Sequence, residues 1–168
     1  MLHWLPISDV YEFAMPFFPE ADDNAIYFSM FDESSHWCRT SHKPFVLEDV
    51  EWPTVEHYFQ AMRFSDPEHR MKIRAVESVD QLQKLSKSWF KSKRKDWNQI
   101  KVTIMTRGLY MQSQMYADMK ESILETGDQR LVENSMYDYF WGCGRDRRGE
   151  NQYGVVLMNI RAKLLEKN

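Results

Sequence analysis

The sequence predicts a mainly α, single-domain fold with a small β element near the N-terminal half, and three observations carry that expectation. A chain of 168 residues with 43% hydrophobic and 14% aromatic side chains can bury roughly two-thirds of its unfolded surface around one core. Six Gly and six Pro are too few for a turn-rich all-β domain. From Thr54 onward, cap residues and apolar spacings of three and four follow one another, as successive amphipathic helices require. No repeat, low-complexity tract or Ser-, Gly- or Pro-rich linker divides the chain. One core is therefore the default.

The first fifty residues hold four of the six prolines and the short aromatic runs Ile26-Tyr27-Phe28 and Phe45-Val46-Leu47, which read as short strands in an irregular wrap. Pro53 and Thr54 open a helix: the Thr54 hydroxyl can accept from the orphan N–H groups of the first turn, and neither Pro nor Gly follows before Phe64. Asp66 before Pro67 marks the next helix, and Asp80 to Phe90 repeats leucines at 82 and 85. Asp96 opens the longest candidate helix, whose Trp97, Ile100, Ile104, Met111 and Met115 fall on one face and are expected to be mostly core. Gly127 closes a further helix, and Leu131-Val132 is a short apolar run. A Gly-rich segment from Trp141 to Gly154 then leads to a last amphipathic helix ending near Leu165.

A net charge of -3 gives no general attraction to nucleic acid or anionic membrane, and no run of about 18 apolar residues exists to span a bilayer. The first residues lack the basic flank and apolar core of a signal peptide, so a cytoplasmic location is expected. Two cysteines are too few for a disulfide scaffold. His36, Cys38 and His42 are three conceivable metal ligands without the second pair that a closed site needs, so neither metal nor cofactor is expected. A Cys–His nucleophile built on Cys143 and a distant histidine is not carried forward.

The candidate chemistry lies in three places. Glu56 falls in the first turn of the helix opened by Thr54, where the helix dipole favours an anion, and Glu56, Gln60 and Arg63 make a polar stripe at i, i+4 and i+7. A plain solvated face is the alternative. Residues 131–144 set Glu133 and Asp138 beside Tyr137, Tyr139, Phe140 and Trp141. Rings that desolvate a carboxylic acid raise its pKa, one way to separate an acid from a base, although Asp138 could simply cap a turn. Arg145, Arg147 and Arg148 alternate with glycines in a loop that could grip phosphate or could be merely solvated.

The segments Trp-Pro-Thr-Val-Glu-His-Tyr-Phe-Gln-Ala-Met-Arg-Phe, Arg-Lys-Asp-Trp, Leu-Val-Glu-Asn-Ser-Met-Tyr-Asp-Tyr-Phe-Trp-Gly and Gly-Glu-Asn-Gln-Tyr-Gly-Val-Val-Leu-Met-Asn-Ile-Arg, in that order, resemble the YbiA-like family, also called the NADAR group. The resemblance runs from about Tyr27 to Leu165 and implies a domain of residues 27–168, with residues 1–26 as an N-terminal extension packed on it. It implies a compact, single-domain helical YbiA-like fold that hydrolyses an N-glycosidic bond to ribose. Members that look like this chain remove ribose 5-phosphate from two riboflavin-pathway intermediates, diamino-hydroxy-phosphoribosylaminopyrimidine and amino-phosphoribosylaminouracil. Other branches remove ADP-ribose from modified guanine. By motif position the resemblance implies catalytic roles for Glu56 and Asp138 and substrate stacking by Trp97 and Trp141. Ser29, Glu133 and Asn151, inside or beside matching segments, are expected to contact substrate, and Arg63 and Arg145 to hold the 5′-phosphate.

Two departures accompany the resemblance. Phe28-Ser29-Met30-Phe31 puts a thioether where the family usually carries the asparagine of Leu-Ser-Asn-Phe, and the stretch from Asp32 to Asp49, with His36 and Trp37, is longer than expected and could reshape the pocket mouth. In the expected mechanism one carboxylate stabilises the oxocarbenium-like sugar and orients water while the other acts as general acid or base, with the assignment left open. The alternatives are an ADP-ribosyl glycohydrolase, a non-catalytic ADP-ribose or NAD binder, and an interaction protein using an aromatic surface.

Overall fold

Helix starts are set by side chains that satisfy orphan backbone donors. Thr54 Oγ1 accepts from His57 N at 3.2 Å, and Asp66 Oδ1 accepts from Glu68 N at 3.0 Å with Pro67 in the first turn. The structure, a computed structural model, describes residues 22–87 and 93–166. Its elements are β1 (Ala25–Phe28), β2 (Phe45–Leu47), β3 (Val50–Trp52), α1 (Val55–Met62), α2 (Pro67–Ala75), α3 (Val79–Ser86), α4 (Trp97–Met115), α5 (Ala117–Glu125), β4 (Arg130–Glu133) and α6 (Gln152–Leu165). The fold is mainly α with a small β element. The end of the Asp80–Phe90 helix and most of the 1–26 extension lie outside the described residues, and Ala25 and Ile26 already belong to β1.

The β element is split. β2 and β3 form an antiparallel hairpin whose turn residues Glu48 and Asp49 both have positive φ, 55° and 60°, as a two-residue turn between twisted strands demands. β1 pairs in parallel with β4, Ile26 opposite Leu131 and Phe28 opposite Glu133, so one strand of the element comes from the C-terminal half rather than the N-terminal one. This pairing brings residues 28–31 beside residues 133–142. Among the described residues no helix is long and apolar enough to cross a membrane.

Asp96 opens the longest helix as expected, its carboxylate accepting from Arg94 Nε (3.0 Å) and Nη2 (2.8 Å), but one expectation about that helix's surface needs correction. The buried seam of α4 is Ile104, Met105, Gly108, Leu109 and Gln112, whereas Met115 is exposed and Trp97, Ile100 and Met111 are half-buried. Gly108 turns the helix this way: a Cβ there would sit 3.1 Å from Tyr58 Cδ1 and 3.2 Å from Val55 Cγ1, so its absence admits α1 closely.

Gly154, expected in the loop, lies in the first turn of α6, where a Cβ would meet the Leu131 carbonyl oxygen at 2.1 Å. The glycine lets α6 lie directly on β4. Gly154→Ala must push helix from strand and should destabilise the protein by about 1 to 3 kcal/mol or more, read as a lower urea midpoint with an unchanged slope.

Candidate active site

α1 withholds only part of its polar stripe from water: Glu56 is buried, while Gln60 and Arg63 are half-buried. Val55, His57, Tyr58, Phe59 and Ala61 are buried around the helix, and Glu56 itself is 6% exposed. The stripe is instead a wired row: Gln60 Nε2 donates to Glu56 Oε1 at 2.6 Å, and Arg63 Nη1 donates to Gln60 Oε1 at 2.6 Å. Glu56 Oε2 forms an ion pair with Arg39 Nε, and the Glu56 N–H donates to the Arg39 carbonyl at 2.8 Å. A buried carboxylate needs such partners, because taking an unpaired charge out of water costs several kcal/mol. Burial also lowers the pKa of the half-buried Arg63 guanidinium, with the Glu56 charge opposing that shift.

The facing wall is the loop after β4. Asp138 Oδ1 accepts from Phe140 N at 2.9 Å and from Trp141 N at 2.7 Å. Asp138 therefore does cap a turn, and the same carboxylate lines the cleft. Beneath the turn lies Glu133, fully buried, accepting from Ser135 N (3.1 Å), Ser135 Oγ (2.9 Å) and Met30 N (3.4 Å). A Cβ on Gly142 would come within 2.3 Å of Glu133 Oε2, so that glycine lets the loop close over the carboxylate. Asn151, at φ 51°, accepts from Glu133 N and donates to the Leu131 carbonyl, both at 2.8 Å.

Between the walls is an open cleft of about 360 Å³. Glu56, Gln60 and Arg63 line it from α1, Trp97, Asn98 and Lys101 from α4, Asp138, Phe140 and Trp141 from the loop, and Met30, Phe31 and Arg39 from the segment after β1. Phe59 is the ring at the centre, packing edge-on against Trp97 at 4.9 Å and Trp141 at 5.5 Å. Trp141 also meets Phe140 edge-on at 5.0 Å, and Lys101 Nζ stands 3.2 Å from the centre of the Phe140 ring.

Glu56, Asp138, Trp97, Trp141 and Arg63 thus come together in one cleft, and four other expected substrate contacts do not line it. Glu133 and Asn151 are occupied in holding β4, Met30 and the loop in place. Ser29 Oγ accepts from Phe31 N at 3.2 Å, and Arg145 is exposed, its guanidinium over the Tyr137 ring. Arg39 and Lys101 were missed. Lys101 follows Trp97 by four residues on α4, a spacing that could have found it, but Arg39 sits in a non-periodic segment and gives no such signal. Of the long 32–49 stretch, Arg39 lines the cleft, whereas Trp37 packs inward, edge-on to Phe28 at 5.0 Å. Cys143 is buried, with desolvation raising its thiol pKa, which disfavours a thiolate nucleophile. Among the described residues no group of three or more His, Cys, Asp or Glu converges as a metal site.

The profile described as NADAR domain matches residues 16–165. N-glycosidase YbiA of Shigella flexneri serotype 5b is 31% identical over 138 residues, covering 82% of this chain and 86% of its own. N-glycosidase Npun_R5314 of Nostoc punctiforme is 36% identical over 121 residues, 70% of this chain and 78% of its own. A riboflavin biosynthesis protein of Vibrio vulnificus is 36% identical over 118 residues, which cover 68% of this chain and 31% of that longer protein. The NMR structure of the Escherichia coli protein YbiA superposes with a TM-score of 0.77 at 30% identity, covering 91% of this chain and 95% of its own. Together with the family model, relatives named N-glycosidase define a glycosidase. The chain belongs to the NADAR family.

His57, next to Glu56 on the helix, points the other way: Nε2 donates to the Val76 carbonyl at 2.9 Å and Nδ1 lies 2.8 Å from Thr54 Oγ1, a hydroxyl that can donate to the neutral ring or accept from the charged one. Burial lowers its pKa below 6.5, and His42 adds to that while the Val76 carbonyl and Glu56 oppose it. The unfolded chain then binds the proton more readily, so the stabilisation is complete above 6.5 and is lost as the pH falls below that value. Thermal midpoints should drop on acidification through this range, and the drop should shrink in His57→Gln.

Proposed function

We propose that this chain hydrolyses the N-glycosidic bond of ribosylated riboflavin-pathway intermediates, diamino-hydroxy-phosphoribosylaminopyrimidine and amino-phosphoribosylaminouracil, releasing ribose 5-phosphate. The observation that carries the reading is that Glu56 and Asp138 line one cleft walled by Phe59, Trp97, Phe140 and Trp141, with three cations, Arg39, Arg63 and Lys101, at the same cleft. Relatives named N-glycosidase and riboflavin biosynthesis protein support the substrate class.

Breaking the C1–N bond leaves its electron pair on the departing amine nitrogen and positive charge on the sugar. Water then supplies the oxygen to C1, and a proton must reach the nitrogen. Two carboxylates suit this division: one faces the developing cation while the other manages the proton of the attacking water and the leaving amine. Asp138 Oδ1 is held by two backbone N–H groups, and no described residue donates to its Oδ2, which leaves that oxygen for sugar or water. The mutually edge-on rings leave apolar faces and edges in the cleft for the pyrimidine, and stacking on an aromatic face is worth about 1 to 3 kcal/mol per base. Three cations against two carboxylates leave the cleft suited to a phosphorylated ligand.

The test is release of ribose 5-phosphate from freshly made pathway intermediates, beside release of ADP-ribose from ADP-ribosylated guanosine and calorimetric titration with ADP-ribose. Glu56→Gln and Asp138→Asn should each lower the rate by about 100- to 10,000-fold. Asp138→Asn keeps an oxygen for the turn, so its thermal midpoint should stay near that of the wild type. Activity on the ADP-ribosylated nucleoside alone would move the chain to the ADP-ribosyl glycohydrolase class, and heat of binding without any cleavage would make it a binding module.

A further inference from the structure

We infer that Arg39 is the positioning residue for Glu56, delivered to the cleft by the long run of turns after β1 and standing where Met30 offers no hydrogen-bonding amide. This rests on the glycosidase reading above and adds to it a residue that acts through one of the two carboxylates.

Four contacts make Arg39 a clamp between two parts of the site. Its N–H donates to the Met30 carbonyl at 2.9 Å, and its carbonyl accepts from Glu56 N at 2.8 Å. Its side chain repeats both connections, with Nη1 3.7 Å from Met30 Sδ and Nε in the ion pair with Glu56 Oε2. The guanidinium carbon lies 4.6 Å from the centre of Phe59, 5.7 Å from Phe31 and 6.0 Å from Trp141. Arg39 is 3% exposed and still lines the cleft. A planar cation held by three rings and by its own backbone has little rotamer freedom left to lose. Glu56 inherits that rigidity.

The segment is built for delivery. Turns close at intervals of three, from Asp32 N to the Ser29 carbonyl, Ser35 N to Asp32, and Cys38 N to Ser35. Trp37 ties the segment to the core, its Nε1 donating to Ser122 Oγ at 3.0 Å and its carbonyl accepting from Tyr153 Oη at 2.7 Å. Two features that look separate in sequence, the thioether at Met30 and the long stretch after Asp32, therefore meet at one guanidinium. With Oε2 on Arg39 and Oε1 accepting from Gln60, the Glu56 carboxylate is fixed from both ends.

Kinetics of Arg39→Gln and Arg39→Lys on whichever substrate the wild type cleaves, together with a crystal structure of Arg39→Gln, test this. Misplacing Glu56 should lower kcat by about 100-fold in Arg39→Gln with KM nearly unchanged. Arg39→Lys, which keeps the charge without the fork, should recover part of kcat. A raised KM at unchanged kcat would make Arg39 an ordinary binding group and overturn the proposal, as would wild-type kcat in Arg39→Lys if Arg39→Gln does not fold. If the wild type cleaves neither substrate, the glycosidase reading falls by itself. The crystal structure then decides: the Glu56 carboxylate should have swung out of its place in the cleft, and an unmoved carboxylate would overturn the positioning role.

Discussion

A carboxylate buried at the first turn of a helix is the constraint around which this domain is arranged. Glu56 sits in the first turn of α1, where the helix dipole favours an anion and the surrounding rings limit water, so its charge has to be matched locally. Arg39 supplies the opposite charge, Gln60 a hydrogen bond, and Arg63 continues the row. Replacing such a pair with apolar side chains is often neutral for stability, whereas removing one member is costly, so its presence points to function more than to folding.

Glu133 performs the complementary task on the other wall. Its carboxylate holds Met30, which ends the β1 side, and Ser135, which begins the loop that carries Asp138. The parallel β1–β4 pair and the Asn151 amide fix the same junction from the backbone side. One buried acid therefore lines the cleft and the other builds it. Position among aromatic residues does not separate the two roles; hydrogen-bond partners do.

Helix identity was legible in the sequence because it depends on local signals. Thr54, Asp66 with Pro67, and Gly127 at φ 59° each act within a turn of where they stand. The Glu56, Gln60 and Arg63 row was also visible as a spacing, although its burial was not. What the sequence concealed depends on contacts between distant segments: the β1–β4 pairing, the rotation of α4 about Gly108, the retirement of Glu133 and Asn151 into supporting contacts, and the approach of Arg39. Arg39 is seventeen positions from Glu56 and belongs to a run of turns without periodicity, so no pattern of spacing announces it.

The central claim is that the cleft between Glu56 and Asp138 holds a phosphoribosyl group, and the most direct measurement is a crystal structure with ribose 5-phosphate bound. The sugar C1 should lie between the two carboxylates, with the phosphate against cations of the cleft. A sugar bound elsewhere on the domain, or oriented with its C1 away from both carboxylates, would contradict the claim.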